Sequence, residues 1–156
     1  MCYNFLTARK EKEIGRYEGV RGLHHAYAGY ELMHKKGYSE IANICLSHSF
    51  PYQNLGAYSG EYDCTPDELE IISSFLSEIN YDDYDKLIQL ADAMGTAHGV
   101  SIIDIRLLDV ARRHGFNDYT LKKWDSVFML KSYFDEKCNM NIYNLFCDEI
   151  RNFSFQ

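Results

Sequence analysis

Through residue 22 the polar and apolar positions mix without a period, with glycines at Gly15, Gly19 and Gly22, and an irregular lead-in is expected there. Helical spacing begins at Leu23. His25, Ala28, Gly29 and Leu32 fall on one face of a helix predicted to run to Lys36, while His24, Tyr27, Glu31 and Lys35 fall on another. Gly37 is placed to end it, because glycine adopts the left-handed conformation common just past a helix C-terminus. Ser39 is expected to cap a second helix, in which Ile41, Ile44, Cys45 and His48 recur at i, i+3, i+4 and i+7. Pro51 closes it. Residues 51–64, rich in Tyr, Gly, Ser and Asn, read as a long loop, a feature uncommon inside a compact domain and often functional.

Thr65-Pro66-Asp67-Glu68 is a strong helix start, with an N-cap Thr, Pro in the first turn and Glu to complete a capping box. Leu69, Ile72, Phe75, Leu76 and Ile79 then supply its core face. Asp82 or Asp83 caps the next helix, Tyr84 to Met94, which ends at Gly95. Ser101 and Asp104 are expected to form another capping box, opening a helix that runs to His114 and stops at Gly115. Asn117 or Asp118 starts a long helix through Leu121, Trp124, Phe128 and Phe134, and a last helix is predicted over Ile142 to Ile150. About seven helices and no alternating strand give an all-α class, with residues 23–156 as one helical domain after the lead-in 1–22.

Composition narrows the functional classes. A chain of 156 residues, 46% hydrophobic and 25% charged, is globular and large enough to bury a core without staples. The net charge of −7 argues against a nucleic-acid polymer as partner, because phosphate binding draws on clustered Lys and Arg. Five cysteines (Cys2, Cys45, Cys64, Cys138 and Cys147), odd in number and with no C-x-x-C pair, form neither a disulfide framework nor a zinc knuckle. No run reaches the 18 or so uncharged apolar residues of a membrane span, and the first residues hold no apolar signal core. No membrane partner and a reducing, cytoplasmic setting are expected.

Three polar residues occupy positions that a core would fill with apolar side chains. His25 shares its face with Ala28, Gly29 and Leu32, and His48 shares its face with Ile41, Ile44 and Cys45. Asp92 is the only charge in Leu87-Ile88-Gln89-Leu90-Ala91-Asp92-Ala93-Met94. An ionised carboxylate among apolar neighbours is costly unless paired, hydrogen-bonded or bound to a cation. Two readings stand at this level. Each histidine is a core residue whose ring bonds a backbone carbonyl, with Asp92 the partner of Arg106, Arg112 or a capping residue; or the three converge as metal ligands inside a helical bundle. His24, His34, His98 and His114 read as solvated. No Gly-rich phosphate loop, G-x-S-x-G elbow or H-E-x-x-H is present.

At these residues the chain resembles the HD-domain metal-dependent phosphohydrolase superfamily, in a small bacterial branch of it. His24-His25-Ala26-Tyr27-Ala28-Gly29-Tyr30-Glu31-Leu32 is similar to the histidine helix that follows the family's His-Asp doublet, with His25 at the ligand position. Ile44-Cys45-Leu46-Ser47-His48 is similar to the next helix end, and Leu87-Ile88-Gln89-Leu90-Ala91-Asp92-Ala93 to the helix holding the final aspartate. The stretch from Ser101 to Tyr143 resembles the C-terminal part of the same branch. The resemblance implies an HD-domain-like helical bundle and a metal-dependent hydrolase of a small phosphorylated molecule or nucleotide. His25, His48 and Asp92 would then be ligands to a divalent metal (Fe, Mn, Ni or Zn), and Arg16 a phosphate contact.

The departure from the family lies at Glu11-Lys12-Glu13-Ile14-Gly15-Arg16, where the branch carries L-H-D-I-G-R. Lys12 stands at the His and Glu13 at the Asp, the helices for an earlier His have no counterpart, and the bundle is expected to be N-terminally incomplete. Glu13 is the candidate substitute carboxylate. The alternative expectation is a catalytically inactive HD-fold module for binding or assembly, and a third is a reading frame that begins late or is shifted. A bundle short of two helices would expose apolar surface around His25 and Leu32, so a homodimer is expected.

Overall fold

Side-chain caps set several of the helix boundaries in the computed structural model, which describes residues 22–97 and 99–154. Helix α1 (His24–Lys35) ends as the sequence implies: Gly37 has φ of +81°, its N–H reaches the His34 carbonyl at 3.0 Å, and that of Tyr38 reaches Met33 at 2.9 Å. Helix α2 is Ser39–Ser47, and here the expected cap is wrong. Ser39 is already helical, Tyr38 holds the cap position, and no side chain caps the end.

Residues 51–64 are largely irregular, with one 3-10 turn at Leu55–Ala57. Helix α3 (Pro66–Glu78) opens with the full reciprocal box: Glu68 N–H donates to Thr65 Oγ1, and Thr65 N–H donates to Glu68 Oε2. Asp82 and Asp85 form the same box at the head of α4 (Asp83–Met94).

After α4 the structure adds an element absent from the sequence reading, a two-residue antiparallel pair of β1 (Gly95–Thr96) and β2 (Gly99–Val100). Strands this short carry too few residues for a period of two to register. Helix α5 (Ile103–His114) stops at Gly115, φ +79°. Its expected Ser101–Asp104 box is not formed: Ile102 is the cap residue, and the buried Ser101 hydroxyl donates to the Ile102 carbonyl instead. Helix α6 (Thr120–Cys138) follows a turn held by Asn117, whose side chain accepts from Tyr119 N–H and donates to the Gly56 carbonyl, each at 2.9 Å. The predicted last helix divides into a 3-10 stretch, Ile142–Phe146, and α7 (Cys147–Ser154).

Two apolar clusters hold these elements. Leu23, Ala26, Leu46, Phe50, Tyr58, Ile72 and Leu76 unite α1–α3 and the long loop. Leu90, Met94, Ile103, Leu107, Val127, Phe134 and Ile142 unite α4–α6 with the 3-10 stretch. Between them α4 fastens onto α2 by polar groups: the buried Asp85 accepts from Ser47 Oγ at 2.7 Å, and Gln89 Nε2 donates to the Ser47 carbonyl at 3.1 Å.

That fastening corrects the face assigned to α2. Ile41 is 46% exposed, and the helix buries Ala42, Leu46, Ser47 and His48. Ser47 belongs to the interior because two partners on α4 satisfy it, which a pattern of apolar spacing does not register. Among the described residues, seven α-helices and one minimal β pair confirm the all-α class, and no helix is long and apolar enough to cross a membrane.

Candidate metal centre

His25 and His48 meet. Helices α1 and α2, joined by a short turn, pack so closely that a Cβ on Gly29 would stand 3.1 Å from Cys45 Cβ and Sγ. The first turn of α1 and the C-terminus of α2 thus come together, and the two Nε2 atoms lie 3.2 Å apart.

The other nitrogen of each ring is committed to backbone. His25 Nδ1 donates to the Gly22 carbonyl at 2.5 Å, and His48 Nδ1 donates to the Cys45 carbonyl at 2.8 Å. A carbonyl only accepts, so both protons reside on Nδ1 and both neutral rings present an Nε2 lone pair. Backbone carbonyls fixing the tautomer are the usual support of imidazole metal ligands.

The spacing also fits. Imidazole nitrogens bound at about 2.0–2.1 Å to one ion with tetrahedral angles stand about 3.3–3.4 Å apart. The Ser49 hydroxyl donates to His48 Nε2 at 2.8 Å, a bond that an ion at that nitrogen would replace. Burial lowers the pKa of both rings, opposed in each case by the nearby Asp92 charge, so both favour the neutral form that ligates.

Asp92 lies near these rings but differs from its expected setting. It is an exposed residue of α4, whose buried face carries Asp85, Gln89, Leu90 and Met94. The run Leu87-Ile88 suggested a buried stripe, yet these side chains are 46% and 41% exposed, and the carboxylate enclosed by α4 is Asp85. Asp92 does border the cleft that His48 lines. It does not pair with Arg106, which reaches Asp109 at 3.2 Å. Nor does it close with His25 and His48 into a trio whose donor atoms all lie within 4.8 Å of one another. Glu13 and Arg16, like the lead-in itself and His98, lie outside the described residues.

Two further groups draw on residues to which the sequence assigned no place in a site. His24, expected to be solvated, belongs to the set of His24, Cys64 and Glu68, whose donor atoms all lie within 4.8 Å. Burial and the charges of Glu68 and Asp63 push the Cys64 thiol up to about 12, holding it protonated, and Glu68 already caps α3. This trio ties α1 to the head of α3. The second group is Arg106 and Lys123, which line the cleft with His48 and Asp92. The sequence marks Arg106 only as a candidate partner of Asp92 and Lys123 not at all, and the packing of α5 and α6 directs both there.

No protein-family model, curated protein or solved structure matches this chain, so the functional reading rests on the geometry of this cleft.

Proposed function

We propose that this protein is an HD-like metal-dependent hydrolase of phosphoesters, with His25 and His48 as the imidazole ligands of one divalent cation. Asp92 is the carboxylate at the border of the same cleft. The observation that carries the reading is the Nε2–Nε2 separation of 3.2 Å between two rings whose Nδ1 protons are both held by backbone carbonyls. Two nitrogen lone pairs facing each other at this distance repel, and a cation held between them turns that repulsion into attraction. A divalent cation in this position supplies charge that acidifies a water and polarises a phosphoryl oxygen. The chain itself orients the rings, keeps them neutral and shields His48, which is 4% exposed.

The test is metal titration of the full, chelator-stripped chain with Zn, Mn, Fe(II) and Ni, followed by hydrolysis of p-nitrophenyl phosphate and nucleoside monophosphates. About one equivalent of bound metal, lost in both His25→Ala and His48→Ala, and metal-dependent turnover are expected. Folded protein that takes up none of these ions would overturn the reading.

One observation favours a second reading, a binding module without turnover: Asp92 is exposed and does not close on the histidine pair. Metal uptake abolished by the two substitutions, together with inert behaviour on every phosphoester, would select it.

A further inference from the structure

The cleft beside His48 is lined by Ser49, Ser59, Asp92, Arg106, Lys123 and Trp124 among others, and holds about 60 Å³, room for several water-sized groups. Two of these side chains are cations from different helices, Arg106 on α5 and Lys123 on α6.

Their hydrogen bonds leave part of each group unsatisfied. Lys123 is partly buried, and its hydrogen bond is a long one, 3.4 Å to the neutral Ser59 hydroxyl. Arg106 spends one terminal nitrogen on Asp109, while its Nε is buried with no hydrogen-bond partner among the described residues. An orphaned guanidinium N–H, and an ammonium with no carboxylate contact among the described residues, are each costly in a low-dielectric site. Each also raises the cost of the other, since the Arg106 charge adds to the burial that brings Lys123 down to about 8. Asp92, at the cleft border, acts on Lys123 more strongly than Arg106 does and in the opposite sense, so burial is what leaves the ammonium costly. What the arrangement lacks is an anion with several acceptor oxygens.

We propose that Arg106 and Lys123 form an oxyanion subsite that takes the phosphoryl group of the substrate beside His48. The subsite deepens the phosphohydrolase reading, because it shares that cleft and names the part of the substrate held there, yet it stands or falls separately. Guanidinium and ammonium groups donate charge-assisted hydrogen bonds to phosphate oxygens, the pairing that desolvation strengthens most. Ser59 adds a neutral hydroxyl at the same wall, where it accepts from Lys123 and keeps its own proton to donate.

The probe is inorganic phosphate, titrated calorimetrically into the full chain in chelator at constant ionic strength, so that metal plays no part. Saturable binding is expected, weakened about tenfold to a hundredfold by Lys123→Gln and by Arg106→Gln, and restored in part by Lys123→Arg. The same titration on His48→Ala should show phosphate binding retained, which separates this proposal from the metal reading. Absence of saturable binding in the wild type, or binding unchanged in both charge-removing variants, overturns it. Should a variant fail to fold, the Lys123 side-chain NMR resonance of the wild type decides: a phosphate-dependent shift supports the subsite, and an unmoved resonance overturns it.

Discussion

Gly29 on α1 and Cys45 on α2 set the distance between the helices that carry the two histidines. A methyl group at position 29 would meet Cys45 Cβ and Sγ at 3.1 Å, closer than ordinary contact. Gly29→Ala gains about 0.5–1 kcal/mol of helix propensity and loses a similar amount in crowding, so unfolding free energy should change by less than about 1 kcal/mol. The widened pair should bind zinc several-fold more weakly. Cys45→Ala in the same background, which removes the Sγ contact, should restore part of that affinity, as read by competition with a chromophoric chelator.

Ser47→Ala leaves the buried Asp85 carboxylate without its 2.7 Å donor. Loss of a hydrogen bond to a buried charge costs about 1–3 kcal/mol. Urea unfolding should show a lower midpoint at an unchanged slope, and metal affinity should fall as well, because Ser47 adjoins His48.

The histidine pair makes stability fall in acid. Both folded-state pKa values lie below the ordinary 6.5. Above that value neither state binds a proton at these rings and the contribution is complete. As the pH drops below about 6.5 the unfolded chain takes up protons that the folded chain resists, and stability declines until the folded values are passed. Unfolding free energies measured between pH 8 and pH 5 should decrease over that window. The double variant His25→Gln, His48→Gln should flatten the profile, and a profile that keeps its slope in that variant would refute the assignment.

Thr65→Ala removes the Oγ1 acceptor of the capping box on α3. A loss of about 1 kcal/mol is expected from thermal unfolding. Ile72, fully buried two turns further on, should cost about 2–5 kcal/mol as Ile72→Ala, whereas Leu121→Ala, at 65% exposure, should stay within about 0.5 kcal/mol.

The elements written in local chemistry were legible in the chain. Thr65 through Glu68, Asp82, Gly37 and Gly115 each act within a few residues of themselves, and each does what its type and spacing imply. Ser101 and Asp104 carried the same local signal and did not form a cap, because Ser101 is drawn into the interior and bonds the Ile102 carbonyl.

The site was legible in part for a related reason. His25 and His48 stood out as polar residues on apolar stripes, and they do converge. Asp92 stood out on the same ground, but a stripe of Leu and Ile does not reveal which side of a helix its neighbours cover. Here α2 engages the Asp85–Gln89 side, and Leu87 and Ile88 are left outward. Arg106 stood out only as a candidate partner of Asp92 and Lys123 not at all, since their place beside His48 depends on how α5 and α6 pack against α4.

The step from Ser47 to His48 changes the role of α2 within one residue, from a side chain pinned to α4 to a ring turned onto α1. Successive helical residues diverge by about 100° around the axis. The imidazole's aim is therefore indexed by the grip on its neighbour, much as a key's teeth are indexed by its shoulder. One extra residue between them would leave α4 docked as before while swinging the ring off its counterpart, abolishing the pair in a chain that still folds.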